Sequence, residues 1–249
     1  MSKKKAAESR AARAQALIEQ RKKAERRRRL IAIVGAVAAV VVVVGGVFLL
    51  TNVMGDGDGS GGNASQSAPK SPALSNYGIT VGKDSAPTKI TLYEDLQCPA
   101  CKAMEDAVGP ALSQAIDDGS AQVTYKLISF LDGASTNQYS SRATNAALVV
   151  LQESGPEVFR KYHQMLYAQQ PAEGGAGYED SQLIDMAVQA GADEKAITPG
   201  IEDKVFADYI EKATAQSNED GVEGTPTVEI DGKRVEGDPI QAITRALSQ

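Results

Sequence analysis

Thr88-Lys89-Ile90-Thr91-Leu92-Tyr93-Glu94-Asp95-Leu96-Gln97-Cys98-Pro99-Ala100-Cys101 is the stretch whose reading decides the fold of this chain. Its first six residues are rich in β-formers and run into an acidic turn, so they read as a strand. From Ala100 to Ile116 the apolar residues fall at helical spacing, and Gln122 to Phe130 returns to a strand pattern. Strand, helix and strand in that order make a βαβ unit, in which a crossover helix joins two parallel strands. The centre of the chain is therefore α/β.

Cys98 and Cys101 are the only two cysteines among 249 residues, and they stand where the helix begins. A sulfur at that position meets N–H groups that have no helical partner and the positive end of the helix dipole, which together favour a thiolate. Pro99 suits the first helical position, because its ring presets φ and no N–H is needed there. The i to i+3 spacing brings the second sulfur to the same face. Cys98 is thus the candidate nucleophile and Cys101 the candidate resolving thiol. A structural staple across so short a loop stabilises little. Zinc would need two further ligands in a chain whose single histidine is His163. No metal is expected, and no cofactor beyond the redox-active Cys98–Cys101 disulfide.

A second signal lies far along the chain in Gly224-Thr225-Pro226-Thr227-Val228-Glu229-Ile230, where an X-Pro bond, the kind that can be cis, precedes a β-rich run. Tyr93 to Cys101, Ser140-Ser141-Arg142-Ala143, Tyr162 to Tyr167 and Gly224 to Thr227 together resemble the membrane-anchored DsbA-like thiol-disulfide oxidoreductases of Gram-positive and actinobacterial type, within the thioredoxin superfamily. The resemblance covers residues 76–249. It implies a thioredoxin fold interrupted by an inserted helical subdomain at about 135–217, with Thr225 and Pro226 forming a cis-Pro loop that faces the redox pair and binds extended substrate.

Local patterns agree with such an insertion. Residues 143–152, 156–168, 181–190 and 201–215 each have helical spacing, separated by Gly-containing breaks. After Pro226 come a strand over 227–230, an Asp231-Gly232 turn, a second strand over 233–235 and a helix from Pro239.

Ahead of the folded domain the composition changes abruptly. Residues 1–29 hold twelve Lys or Arg against three Glu, a net of +9; the whole chain is at −6, so the remainder carries −15. Leu30 to Leu50 are twenty-one residues without a charge, long enough as a helix to cross a bilayer core of about 30 Å. The expectation is a basic cytoplasmic tail at 1–29, a single transmembrane helix at 30–51 and a flexible Gly/Ser/Pro linker at 52–75. The domain 76–249 then lies outside the cytoplasm, where disulfides persist. The basic run abuts an apolar segment and lacks interleaved aromatics, and the rest of the chain is acidic, so nucleic acid is not an expected partner.

The expected activity is an oxidase that donates the Cys98–Cys101 disulfide to exported Cys-containing proteins and is reoxidised by a membrane redox partner. A reductase or isomerase on the same site is the alternative, as is an anchored peptide-binding or chaperone module. Two departures from the resemblance bear on the potential. Leu92 stands six residues before Cys98, where thioredoxins often place a buried acid, and Ala100 stands where many relatives have an imidazole. Glu94 shares the strand facing of Leu92, so Glu94 with Lys126 is a candidate tuning pair beside Pro99 and Ala100, although exposure is the plainer expectation for Glu94. His163, Ser141 and Arg142 read as structural.

Overall fold

Thr88–Glu94 forms strand β3, hydrogen-bonded on both sides, and the chain is built outward from it. The structure is a computed structural model that describes residues 68–248. The expected tail at 1–29, the expected membrane helix at 30–51 and the linker up to residue 67 lie outside the described residues. Among the described residues no helix is long and apolar enough to cross a membrane. In chain order the elements are β1 (Leu74–Ser75), β2 (Gly78–Val81), β3, α1 (Pro99–Asp118), β4 (Ala121–Leu127), α2 (Tyr139–Ala168), α3 (Asp180–Ala190), α4 (Glu194–Glu202), α5 (Ala207–Glu219), β5 (Thr227–Ile230), β6 (Lys233–Arg234) and α6 (Pro239–Leu247).

The described strands form one sheet in the order β1-β2-β4-β3-β5-β6. Only β3 and β4 are parallel, joined by α1 as the βαβ reading requires. Leu92 stands opposite Tyr125 on one side and Val228 on the other, and Ile90 and Leu92 are buried. A central strand covered on both faces has to be this apolar. The β5–β6 hairpin turns through Asp231 and Gly232, both at positive φ (51° and 74°), the geometry of a tight two-residue turn.

The helical insertion runs from Tyr139 to Glu219. Gly155 breaks α2 at φ 81°, a region costly for a side chain, and Pro156 restarts it, so the two expected helices stack end to end. The helix expected over 201–215 is instead two helices. Ile201 falls near the end of α4, Lys204 turns the chain at φ 51°, and α5 starts at Ala207. The cause is tertiary: Asn145 accepts from the Phe206 N–H at 3.0 Å and donates to the Gly200 carbonyl at 3.1 Å, giving the broken turn its hydrogen bonds. The other end of the linker also differs from expectation. Residues before Asn76 already belong to the fold: Leu74 and Ser75 pair with Ile79 and Gly78, Pro69 is buried, and the Lys70 N–H donates to Gln152 Oε1 at 2.9 Å. Ser, Ala and Pro carry little apolar signal, but backbone pairing does not need one.

Candidate active site

The redox motif is presented by the end of β3 and the start of α1, and a carboxylate between them holds the turn. Asp95, fully buried, accepts from the Gln97 N–H at 2.8 Å, from Ser140 Oγ at 2.6 Å and from the Leu131 N–H at 2.9 Å. These bonds tie the loop before Cys98 to α2 and to the segment after β4. The end of α2 and the chain beyond it close over the same loop. Gln170 Nε2 donates to the carbonyls of Leu96 (3.2 Å) and Cys98 (3.0 Å), Gln97 Nε2 to those of Ala172 and Gly175 (3.2 Å each), and Tyr167 OH to that of Asp95 (3.3 Å). Carbonyls that a loop would leave unpaired are thereby satisfied.

Cys98 is the N-cap of α1, with extended φ and ψ, and Pro99 follows as the first helical residue. The two cysteines are free thiols. Cys98 is 7% exposed and Cys101 is wholly buried, three residues and one helical turn deeper. The structure brings Thr225 and Pro226 to this motif across 127 residues: the Cys98 thiol donates to the Thr225 carbonyl at 3.3 Å, and the Thr225–Pro226 bond is cis. Pro99 and Ala100 are exposed beside Cys98.

The two sulfurs are driven in opposite directions. Cys98 is pulled down to about 5, foremost by the hydrogen bond from the Cys101 thiol and then by the Thr225 side chain and the N–H groups of Cys101 and Ala100, with burial opposing. The bond to the Thr225 carbonyl belongs to the protonated form, since a thiolate has nothing to donate. Cys101 is pushed far up, first by burial, then by its bond to Cys98 and by the charge of Glu94.

The end of β3, α1 and α2 bring together a buried group of three. Glu94 Oε2 stands 3.0 Å from His163 Nε2, and Glu105 completes a set whose polar atoms lie within 4.8 Å of one another. Burial raises both Glu94 and Glu105 to about 8, and burial lowers His163. The His163 ring is packed among Tyr125 (4.6 Å between centroids), Tyr167 (5.0 Å) and Phe159 (5.8 Å). Such a set could offer three ligands to a metal. The 3.0 Å contact between two of these atoms is a hydrogen bond.

Two expectations are corrected here. Glu94 is not exposed; it is completely buried. Nor is Lys126 its partner. In the β3–β4 register Glu94 stands opposite Leu127, while Lys126 stands opposite Tyr93, 4.9 Å from that ring's centroid and 3.5 Å from Asp220. Alternation along a strand puts neighbours on opposite faces, so the two side chains are on opposite sides of the sheet. His163, read as structural, is the group that meets Glu94. Arg142 is structural as read, bonded to Asp180 at 2.7 Å and to the Tyr178 carbonyl at 2.8 Å. Glu105 was missed, although helical spacing could have found it: it lies in the buried stripe Cys101, Met104, Glu105, Val108, Leu112 as its one charge.

A family model described as thioredoxin matches residues 74–248. The crystal structure of reduced DsbA from Mycobacterium tuberculosis is 32% identical and superposes with a TM-score of 0.59 over 69% of this chain and 91% of that one. MdbA, a thiol-disulfide oxidoreductase from Corynebacterium diphtheriae, is 25% identical, with a TM-score of 0.61 over 74% of this chain and all of that one. The serine/threonine-protein kinase PknE of Mycobacterium tuberculosis is 31% identical over 127 residues, 49% of this chain, which spans only 22% of the kinase's length.

Proposed function

This chain belongs to the thioredoxin family, among its DsbA-like thiol-disulfide oxidoreductases, and from that premise we propose that it is a membrane-anchored extracytoplasmic oxidase, donating its Cys98–Cys101 disulfide to exported proteins. One observation carries this reading: the opposite shifts of the two sulfurs. A thiolate stabilised at Cys98 stabilises the reduced enzyme relative to its disulfide, and a disulfide whose reduced form is favoured is a strong oxidant.

The steps of such a transfer run from the accessible sulfur inward. A substrate thiolate attacks Cys98 Sγ, the accessible sulfur of the pair. The Cys98–Cys101 bond breaks and its electron pair stays on Cys101, which, buried, takes up a proton. Glu94, whose charge is felt at Cys101 and which is protonated at neutral pH, is the acid beside it. A second substrate thiolate then attacks the substrate sulfur of the mixed disulfide and expels Cys98 as a thiolate, a good leaving group because its pKa is low. The substrate leaves oxidised by two electrons and the enzyme reduced by two. The Thr225 carbonyl, already bonded to Cys98, lies where an extended substrate would run beside Pro226.

The cellular setting rests on sequence: the +9 tail keeps residues 1–29 in the cytoplasm, residues 30–51 span the bilayer, and the domain meets exported Cys-containing proteins on the far side. Reoxidation falls to a redox partner in the membrane. The Cys pair is the electron carrier, with no other cofactor. The deciding experiment mixes the oxidised full chain with a reduced, unfolded substrate and follows substrate thiols. Stoichiometric thiol loss with appearance of enzyme thiols is expected. If the substrate stays reduced, or if glutathione equilibration gives a potential as low as that of a reductase, the oxidase reading fails.

A further inference from the structure

We propose that Gln170 is a positioning residue for thiol-disulfide exchange: from the strap that joins α2 to α3, its side-chain amide braces the turn before α1 and so aims the Cys98 sulfur at the N–H groups of the helix start. The proposal rests on the exchange reading above and deepens it by one residue outside the Cys98–Cys101 motif and the Thr225–Pro226 loop.

The direction of the Cys98 side chain is set by the two peptide planes that meet at its Cα. The first is held through its N–H, which donates to the Asp95 carbonyl at 2.9 Å. The second moves with the helix, because the Pro99 ring fixes φ and the Cys98 carbonyl accepts the Lys102 N–H at 3.1 Å, the first bond of α1. That bond keeps the plane with the helix but does not tie the helix to the turn. Gln170 does. Its Nε2 carries two hydrogens, one for the Cys98 carbonyl at 3.0 Å and one for the Leu96 carbonyl at 3.2 Å, so a single nitrogen spans both sides of Cys98. Both partners are acceptors, which also decides which end of the amide faces them. With both planes held, Cβ has one direction, and only rotation about χ1 is left to the sulfur.

That direction matters because Cys98 is an N-cap with no side-chain cap bond. The first N–H groups of a helix have no helical partner, and those of Ala100 and Cys101 are among the groups that lower the Cys98 thiol. Hydrogen bonds weaken steeply as the donor turns away, so a turn free to rock would lose part of the thiolate's stabilisation.

The strap, residues 169–178, is held by polar bonds more than by burial. None of residues 171–177 is buried, and three of the seven are glycines, the residues that lose most freedom on ordering. A Cβ at Gly177 would run into the Tyr139 ring, so the strap also lies too close to α2 for a side chain there. Its order comes from hydrogen bonds. Gln97 Nε2, reaching the opposite way from Gln170, donates to the Ala172 and Gly175 carbonyls at 3.2 Å each. Ser135 Oγ donates to the Gly175 carbonyl at 3.1 Å, and Tyr178 OH to that of Gln169 at 2.7 Å. The two glutamines are reciprocal: Gln97 of the turn holds the strap, and Gln170 of the strap holds the turn.

The test compares the full chain with Gln170→Met, which keeps the length of the side chain and removes both donors, and with Gln170→Asn, which keeps the donors on a shorter stem. In the reduced protein thiolate absorbance titrates Cys98 alone, since there are two cysteines and Cys101 is raised. Gln170→Met should raise the Cys98 pKa by about one unit and move the glutathione equilibrium at pH 7 about tenfold toward the disulfide form. Gln170→Asn should recover part of both shifts. A glutamine that only stabilised the fold would, when replaced, lower the urea midpoints of the oxidised and reduced forms alike and leave the pKa and the equilibrium unmoved; that result overturns the proposal. If Gln170→Met does not fold, hydrogen exchange in the wild type serves: the Gln170 side-chain amide should be protected in the reduced protein, and exchange as fast as that of an exposed glutamine also overturns it. Failure of the exchange reading looks different, since the wild type itself would then transfer no disulfide.

Discussion

The surroundings of Cys98 and of Cys101 differ more than a three-residue spacing suggests. Cys98 lies at a helix start among hydrogen-bond donors, beside the half-buried Thr225–Pro226 loop, and is lowered to about 5. Cys101 lies one turn inside, wholly buried, where the charge of Glu94 also acts on it, and is raised. The hydrogen bond from the Cys101 thiol, followed by Thr225 and the N–H groups of the helix start, explains the first, and desolvation the second. The lesson is that one helical turn suffices to separate a thiol that ionises from one that does not.

The largest effect expected from breaking this asymmetry is loss of transfer. Cys98→Ser should abolish it, whereas Cys101→Ser leaves an attacking thiol that cannot be released by its neighbour, so mixed disulfides accumulate as heavier bands on non-reducing gels. Adducts in Cys98→Ser and none in Cys101→Ser would reverse the two roles.

Next comes the scaffold that holds both sulfurs. Asp95→Ala leaves the Gln97 and Leu131 N–H groups and Ser140 Oγ without their acceptor. Unmet buried donors cost roughly 1 to 3 kcal/mol each, so a stability loss of about 3 kcal/mol or more is expected by urea unfolding. A loss below about 1 kcal/mol would mean that water replaces the carboxylate.

A graded effect uses pH to tell the two surroundings apart. Glu94 and Glu105 are raised from 4.5 to about 8 in the folded protein, so the stability they contribute is full below pH 4.5 and is lost as pH rises to about 8. Cys98 is depressed from 9 to about 5, so its contribution is full above pH 9 and is lost as pH falls to about 5. Only the reduced protein has the second term. Between pH 5 and 8 the stability of the reduced form relative to the oxidised form should therefore rise by up to about 1.4 kcal/mol per pH unit. Parallel pH curves for the two forms, measured by denaturant unfolding, would show that Cys98 is not the titrating group.

The smallest expected change is at Ala100, exposed beside Cys98. Ala100→His adds a donor and, when protonated, a charge near the thiolate. Each unit by which it lowers the Cys98 pKa corresponds to about 1.4 kcal/mol, or about 30 mV for this two-electron couple. Glutathione equilibration should show a more oxidising potential; an unchanged one would place control of the potential in the buried acids.

Much of the frame was legible because it is local. The β3–Cys98–Pro99–α1 junction follows from β-formers, a proline at a first helical position and helical apolar spacing. The break at Gly155-Pro156 and the Asp231-Gly232 turn are written in residues whose backbone preferences are strong. The division of 201–215 into two helices was not legible, since Asn145, some sixty residues earlier, supplies the hydrogen bonds of the break. The clamp by Gln170 on Leu96 and Cys98 was hidden for the same reason.

Sequence alone determined the candidate redox pair: there are two cysteines, and their spacing and the proline between them place both at one helix start. Tertiary structure decided which of them ionises. The charge state of Glu94 depends on how much water surrounds it and on which side chains arrive from other elements, and neither is written in its neighbours along the chain. Strand alternation aligned Glu94 with Leu92, but only the packed fold placed Glu105 and His163 against it and sent Lys126 to the other face of the sheet.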